Sequence, residues 1–217
     1  MCVYCGESVE TRDHVPSKVL LDAPYPDNLP VVPACESCNA SFSKDEEYLA
    51  CLVECINVGD VNVDAMRRPK IKRILSEKPF LAARLQNARQ VYDGNVYLDI
   101  EWNRLDNVIL KLARGHALFE QNEPQFDAPS EINIFILSDL DENSLNHFEN
   151  VSMQSKFPEV GARAMMRHIN IDIGSAGWIS VQPGQYRYLV SLEYGMTVRL
   201  VIGECLGAMV SWDLLRL

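Results

Sequence analysis

The sequence lacks any apolar run approaching the ~18 residues that a membrane-spanning helix needs. Its first residues also lack the basic and apolar regions of a secretory leader. A soluble, cytoplasmic protein without a membrane partner is the expectation. Internal repeats and low-complexity tracts are missing too, so neither an array nor a disordered chain is expected, and 47% hydrophobic content suits a packed core. At 217 residues the chain accommodates one medium domain, or a small module joined to a larger one.

Positive charge is scarce overall, with 20 Lys and Arg against 30 Asp and Glu. A net charge of −10 does not attract nucleic acid by itself, but its distribution is uneven. Residues 1–60 hold 11 acids against 3 bases, whereas residues 65–90 hold 8 bases against the single acid Glu77. This basic island, centred on Arg67, Arg68, Lys70, Lys72 and Arg73 and continued by Lys78, Arg84 and Arg89, could track a phosphate backbone. A solvated helix face is the equal alternative.

Seven cysteines in a chain expected to remain inside the cell favour metal ligands and buried thiols over disulfides. Cys2 and Cys5 form one Cys-x2-Cys pair, and Cys35 and Cys38 form a second in "CESC". Two such pairs match a tetrahedral four-thiolate zinc site, and a closed set of four sulfurs makes the zinc structural. The metal would stand in for a core that about sixty residues hardly build alone. Cys51 and Cys55, spaced i and i+4 on a helix, read as core thiols, as does Cys205 on a strand.

The order of elements follows from periodicity. Ser43 with Glu46 three residues on suggests a capping box opening a helix over 44–58, with Asp45 and Glu46 favouring its N-terminus. "LPVVPAC" is a short extended piece, and "NVGDVNVD" a linker that places a boundary near residue 60. Pro69 and Pro79 divide the basic stretch into short helical pieces. "NVYLDI" reads as a strand, residues 102–120 as an amphipathic helix, "INIFIL" as a buried strand and "ENSLNHFENV" as a short helix. From Trp178 onward, strand-like runs separated by "PGQ" and "YG" predict an antiparallel meander. His116, His147 and His168 have no metal-like partners, and Trp102, Trp178 and Trp212 read as core.

Between and after the cysteine pairs stand "RDHVPSK", "DNLPVVP" and "CNASFSKDEEYL". The order Cys-x2-Cys, Asp-His, Asn, Cys-x2-Cys-Asn, helix resembles the HNH endonuclease family in its zinc-stapled form, over about a quarter of the chain. That resemblance implies an α+β protein: a ββα-metal module over residues 1–60, then an α+β accessory domain over 61–217 ending in the meander. It makes His14, at the end of the first strand, the general base. Asp13 and Asn39 become the ligands of a catalytic Mg²⁺ or Mn²⁺, and Asn28 the residue that ties the loop and orients the histidine. Phe42 stands where the family commonly carries a basic phosphate contact.

The implied activity is hydrolysis of phosphodiester bonds in nucleic acid, DNA in the first place, with a restriction or anti-phage role as an extension. Residues 61–217 would position substrate, dimerise or bind a protein partner. The rival is a non-catalytic zinc-stapled module that binds nucleic acid or protein, which has no need to hold Asp13, His14 and Asn39 together.

Overall fold

The computed structural model describes residues 1–93, 95–150, 161–165, 177–192 and 195–213. His168 lies outside them. The chain mixes helix and sheet. Strands β1 (Thr11–His14) and β2 (Val31–Ala34) pair antiparallel, and helix α1 (Glu36–Val58) follows directly. Pro69 and Pro79 each sit at the start of a short helix, α2 (Pro69–Glu77) and α3 (Pro79–Ala88), where the missing N–H would be unpaired anyway. The end of that stretch is not helical: β3 (Arg89–Tyr92) forms an exposed hairpin with β4 (Asn95–Leu98). Helix α4 (Trp102–Gln121) then leads to β5 (Glu131–Ile136) and α5 (Glu142–Glu149).

The expected meander is present as β6 (Ile179–Gln182), β7 (Tyr186–Ser191), β8 (Gly195–Ile202) and β9 (Leu206–Asp213). Strand β5 adds to it beside β9, giving a five-stranded antiparallel sheet ordered β5-β9-β8-β7-β6. β5 is therefore a half-buried edge strand and not a fully buried one.

Several expectations change. Helix α1 begins at Glu36, because the Cys35 sulfur caps it by accepting the Cys38 N–H at 3.4 Å. Ser43 is already inside the helix, its hydroxyl donating to Ala40 O, so Asp45 and Glu46 are too far along to act on the N-terminus. Cys205 lies in the β8–β9 turn, half-buried, and Trp102 is 53% exposed. Cys51 and Cys55 are buried, and burial pushes both thiols up to about 12, which keeps them protonated.

Helix α4 lies between α1 and the sheet, packing on β7, β8 and β9 with one side and on α1 with another. The buried side chains on both sides of residue 60 form one continuous cluster. Direct bonds cross the same point: Asn57 Nδ2 donates to Gly203 O at 2.9 Å, and the Glu101 N–H donates to Tyr48 Oη at 3.1 Å. His116 belongs to this core, bonded to Tyr186 at 2.8 Å and stacked on Tyr188. Two glycines permit the closest approaches. A Cβ on Gly115 of α4 would stand 2.6 Å from Val15 Cγ2, just past β1. Gly203 has φ +62°, and a Cβ there would meet Val53 of α1 at 2.6 Å.

Gly115→Ala should therefore push α4 off the end of β1, lowering stability in urea melts by about 1–3 kcal/mol. Adding Val15→Ala should recover part of that loss, giving a positive coupling in the double-mutant cycle.

Candidate functional site

The N-terminal knuckle is built by backbone bonds. The Cys2 N–H donates to Glu7 O at 2.7 Å, the Gly6 N–H to Cys2 O at 2.9 Å, and Gly6 takes φ +80°. Cys35 sits at the N-cap of α1 and Cys38 in its first turn. All four sulfurs of Cys2, Cys5, Cys35 and Cys38 lie within 4.8 Å of one another. Cys5 Sγ and Cys35 Sγ are 3.8 Å apart, which matches the edge of a tetrahedron with metal–sulfur bonds of ~2.3 Å. The cluster could thus hold one metal ion such as zinc. Since one pair precedes β1 and the other follows β2, an ion there would clamp both ends of the hairpin to α1. The Val3 N–H, donating to Pro33 O at 3.0 Å, adds the knuckle to the outer edge of β2.

The hairpin has two unlike faces. The Val15 N–H donates to Pro30 O at 2.9 Å, which makes His14 and Val31 a non-hydrogen-bonded pair. Arg12 and Pro33 form the next such pair, so the missing proline N–H points away from the ladder and costs it nothing. Alternation turns Asp13 inward with Val32 and Ala34, all buried, and leaves Arg12 and His14 on the outer face. Adjacent in sequence, Asp13 and His14 point in opposite directions.

The inner face meets a buried ammonium. Lys111 of α4 has a side chain only 1% exposed, and its Nζ lies 2.9 Å from Asp13 Oδ2, 2.5 Å from Glu46 Oε1 and 2.6 Å from Ser17 Oγ. Tyr4 donates its hydroxyl to the same Asp13 Oδ2 at 2.7 Å, and Ser17 donates to Glu46. Burial and the Asp13 charge push the Tyr4 phenol well above its ordinary range, so it stays a donor. Sequence reasoning missed Lys111. The available signal was a lysine at the border of the α4 apolar stripe, in line with Val108 and Gly115.

His14 is half-buried, and its imidazolium is disfavoured first by burial and then by the positive Lys18, with Asp13 opposing. Its pKa falls below the ordinary 6.5, so the ring is neutral at pH 7. Asn39, in the first turn of α1, reaches β1 through Nδ2, which lies 3.5 Å from Arg12 O. Asn28 is exposed before β2 and makes no side-chain hydrogen bond among the described residues. Phe42 packs edge-on against Tyr4, 5.0 Å between ring centres.

A hard divalent ion does not fit Asp13 as packed. One carboxylate oxygen already receives a hydroxyl and an ammonium, the ammonium being shared with Glu46. Among the described residues, the four cysteines are the single group of three or more His, Cys, Asp or Glu ligand atoms in mutual reach.

The basic island divides. Arg68 pairs with Asp22 at 3.0 Å, and Lys70 donates to Lys18 O at 2.7 Å and to Tyr25 Oη at 2.9 Å, so both fasten the segment after β1. Lys72 meets Asp64 at 3.2 Å on the surface. Arg67 and Arg73 face solvent. No helix among the described residues is long and apolar enough to cross a membrane. Comparison with family models, with curated proteins and with solved structures finds no match to this chain.

Elemental analysis of the purified protein should find one zinc per chain, lost in Cys38→Ser together with thermal stability. Lys111→Met should cost about 3–5 kcal/mol in urea melts, because two carboxylates are left buried without a counter-ion. Combining it with Asp13→Asn and Glu46→Gln should restore most of the loss.

Proposed function

We propose that the chain is a nuclease that hydrolyses phosphodiester bonds, with residues 1–58 acting as a zinc-stapled HNH-type module and His14 as its general base. The observation that carries this reading is the outer face of the β1–β2 hairpin. A half-buried, neutral imidazole stands there, at the end of β1 away from the four-cysteine cluster. The strand-strand-helix order supports it, since this is the order that the family resemblance implies. A structural zinc on Cys2, Cys5, Cys35 and Cys38 would hold the hairpin against α1 and supply no chemistry, because four protein ligands leave no open position.

In this reading the neutral His14 ring takes a proton from an attacking water at the outer face. Burial and Lys18 keep the ring unprotonated, which is the form a base requires. Asn39, anchored on Arg12 O, fixes the start of α1 beside the strand that carries His14. The Mg²⁺ or Mn²⁺ that the resemblance assigns to Asp13 and Asn39 enters no step here, since Asp13 is held by Lys111 and Tyr4. DNA is the first substrate to test, and Arg67 and Arg73 are the members of the basic island that face solvent.

The Asp13–Lys111 pair favours a second reading, a non-catalytic zinc-stapled module that binds nucleic acid or protein. Under it, wild type and His14→Ala bind alike and neither cuts.

Plasmid, linear duplex and single-stranded substrates, incubated with and without Mg²⁺ or Mn²⁺, separate the two. The nuclease reading expects cutting that falls by about 10²-fold or more in His14→Ala, with zinc content and melting unchanged. Equal cutting by the variant would remove His14 from the mechanism. The rate should fall with pH only below 6.5, as the ring gains its proton. Lys18→Ala should move this limb to higher pH, because removing a positive neighbour favours the imidazolium.

A further inference from the structure

A cavity of about 500 Å³ opens beside the hairpin, between the segment before β2, helix α4, residue 163 and the edge strand β6. One cross-strand pair places it next to His14, and a contact of α4 ties it to the end of β1. Val31, which lines it, is the cross-strand partner of His14 in a non-hydrogen-bonded pair. In such a pair the Cα atoms stand ~4.5 Å apart and the side chains share a face. Val15, the residue after His14, packs on Gly115 of α4. Phe119, also in the lining, is one helical turn further on, about 6 Å along the axis.

The chemistry of the lining points to an anion. Among the described residues of the lining Arg163 is the one charged side chain, joined by the amide of Asn28, the hydroxyl of Ser180 and the phenol of Tyr188, which donates to the buried Glu120 behind it. The Arg163 guanidinium lies over the Phe119 ring, 4.2 Å from its centre, which orients the planar fork without neutralising it. Arg163 is exposed and makes no ion pair among the described residues.

We infer that this cavity is a phosphate subsite for a nucleic-acid strand lying across His14, with Arg163 as its cation and Asn28 as a neutral donor at its rim. The inference rests on the nuclease reading for its choice of phosphate. It makes residues beyond 60 part of the substrate site.

The test uses the full chain, wild type in EDTA and the His14→Ala variant in parallel, with fluorescein-labelled single-stranded DNA, single-stranded RNA and duplex DNA. Anisotropy titrations over a salt series give the Kd and its salt slope for each probe. Arg163→Gln should weaken the preferred probe roughly tenfold and lower the salt slope by about 0.7–0.9, the loss of one phosphate contact. Asn28→Asp, which puts a carboxylate at the rim of an exposed loop, should weaken it as well, and Arg163→Lys should keep the slope. Unchanged Kd and slope in Arg163→Gln and Asn28→Asp would overturn the subsite, as would failure to bind all three probes. Cutting by wild type is scored separately. A slope that depends on Arg163 without cutting would keep the subsite and remove the nuclease reading.

Discussion

The arrangement of the first half of the chain depends on one buried ammonium. Lys111 sends its side chain from α4 into the space between β1 and α1, where Asp13, Glu46 and Ser17 converge on it. Removing such charges from water carries a large desolvation cost, offset only when geometry and hydrogen bonds are complete. Here they are nearly so: Tyr4 adds a donor to Asp13, and Ser17 both accepts from Lys111 and donates to Glu46. Its effect is positional more than energetic. Few other packings of α4 satisfy two inward carboxylates, so the network sets where that helix lies, and with it the sheet packed on its other side.

Two constraints therefore act on the same hairpin from opposite ends. The cysteine cluster gathers the chain before β1 and after β2. The Lys111 network holds the inner face, and the contact of Val15 with Gly115 brings α4 against the strand just past His14. Between them the outer face is left with a half-buried imidazole in a defined position. A residue used as a base benefits from such rigidity, because proton transfer depends on geometry before pKa. The same clamp would equally suit a rigid binding surface.

Strand alternation gives the Asp-His pair a meaning that its adjacency hides. In a strand, neighbours point to opposite faces. Asp13 is thus drawn into the interior, where a lysine from another element answers its charge, while His14 stays near solvent. Roles that the family resemblance joins in one dipeptide are divided here between a structural face and an exposed one. The basic island divides in a similar way. Arg68 and Lys70 fasten the segment after β1, whereas Arg67 and Arg73 face solvent.

Local features were legible in the residues alone, because their physics is local. Two Cys-x2-Cys pairs imply converging sulfurs, prolines at 69 and 79 start helices, the stripe on 102–120 makes one long helix, and alternation with turns makes the meander. The start of α1 was less legible: a serine looks like the better cap, but Cys35 holds that place once its sulfur joins the cluster. What only the tertiary structure decided are the pairings distant in sequence: Lys111 with Asp13, Gly115 with Val15, Arg163 with the space beside Val31, and β5 with β9. Spacing records what one helix or strand does with its own neighbours. Which charge answers Asp13 depends on how four elements pack, and no periodicity in any one of them carries that information.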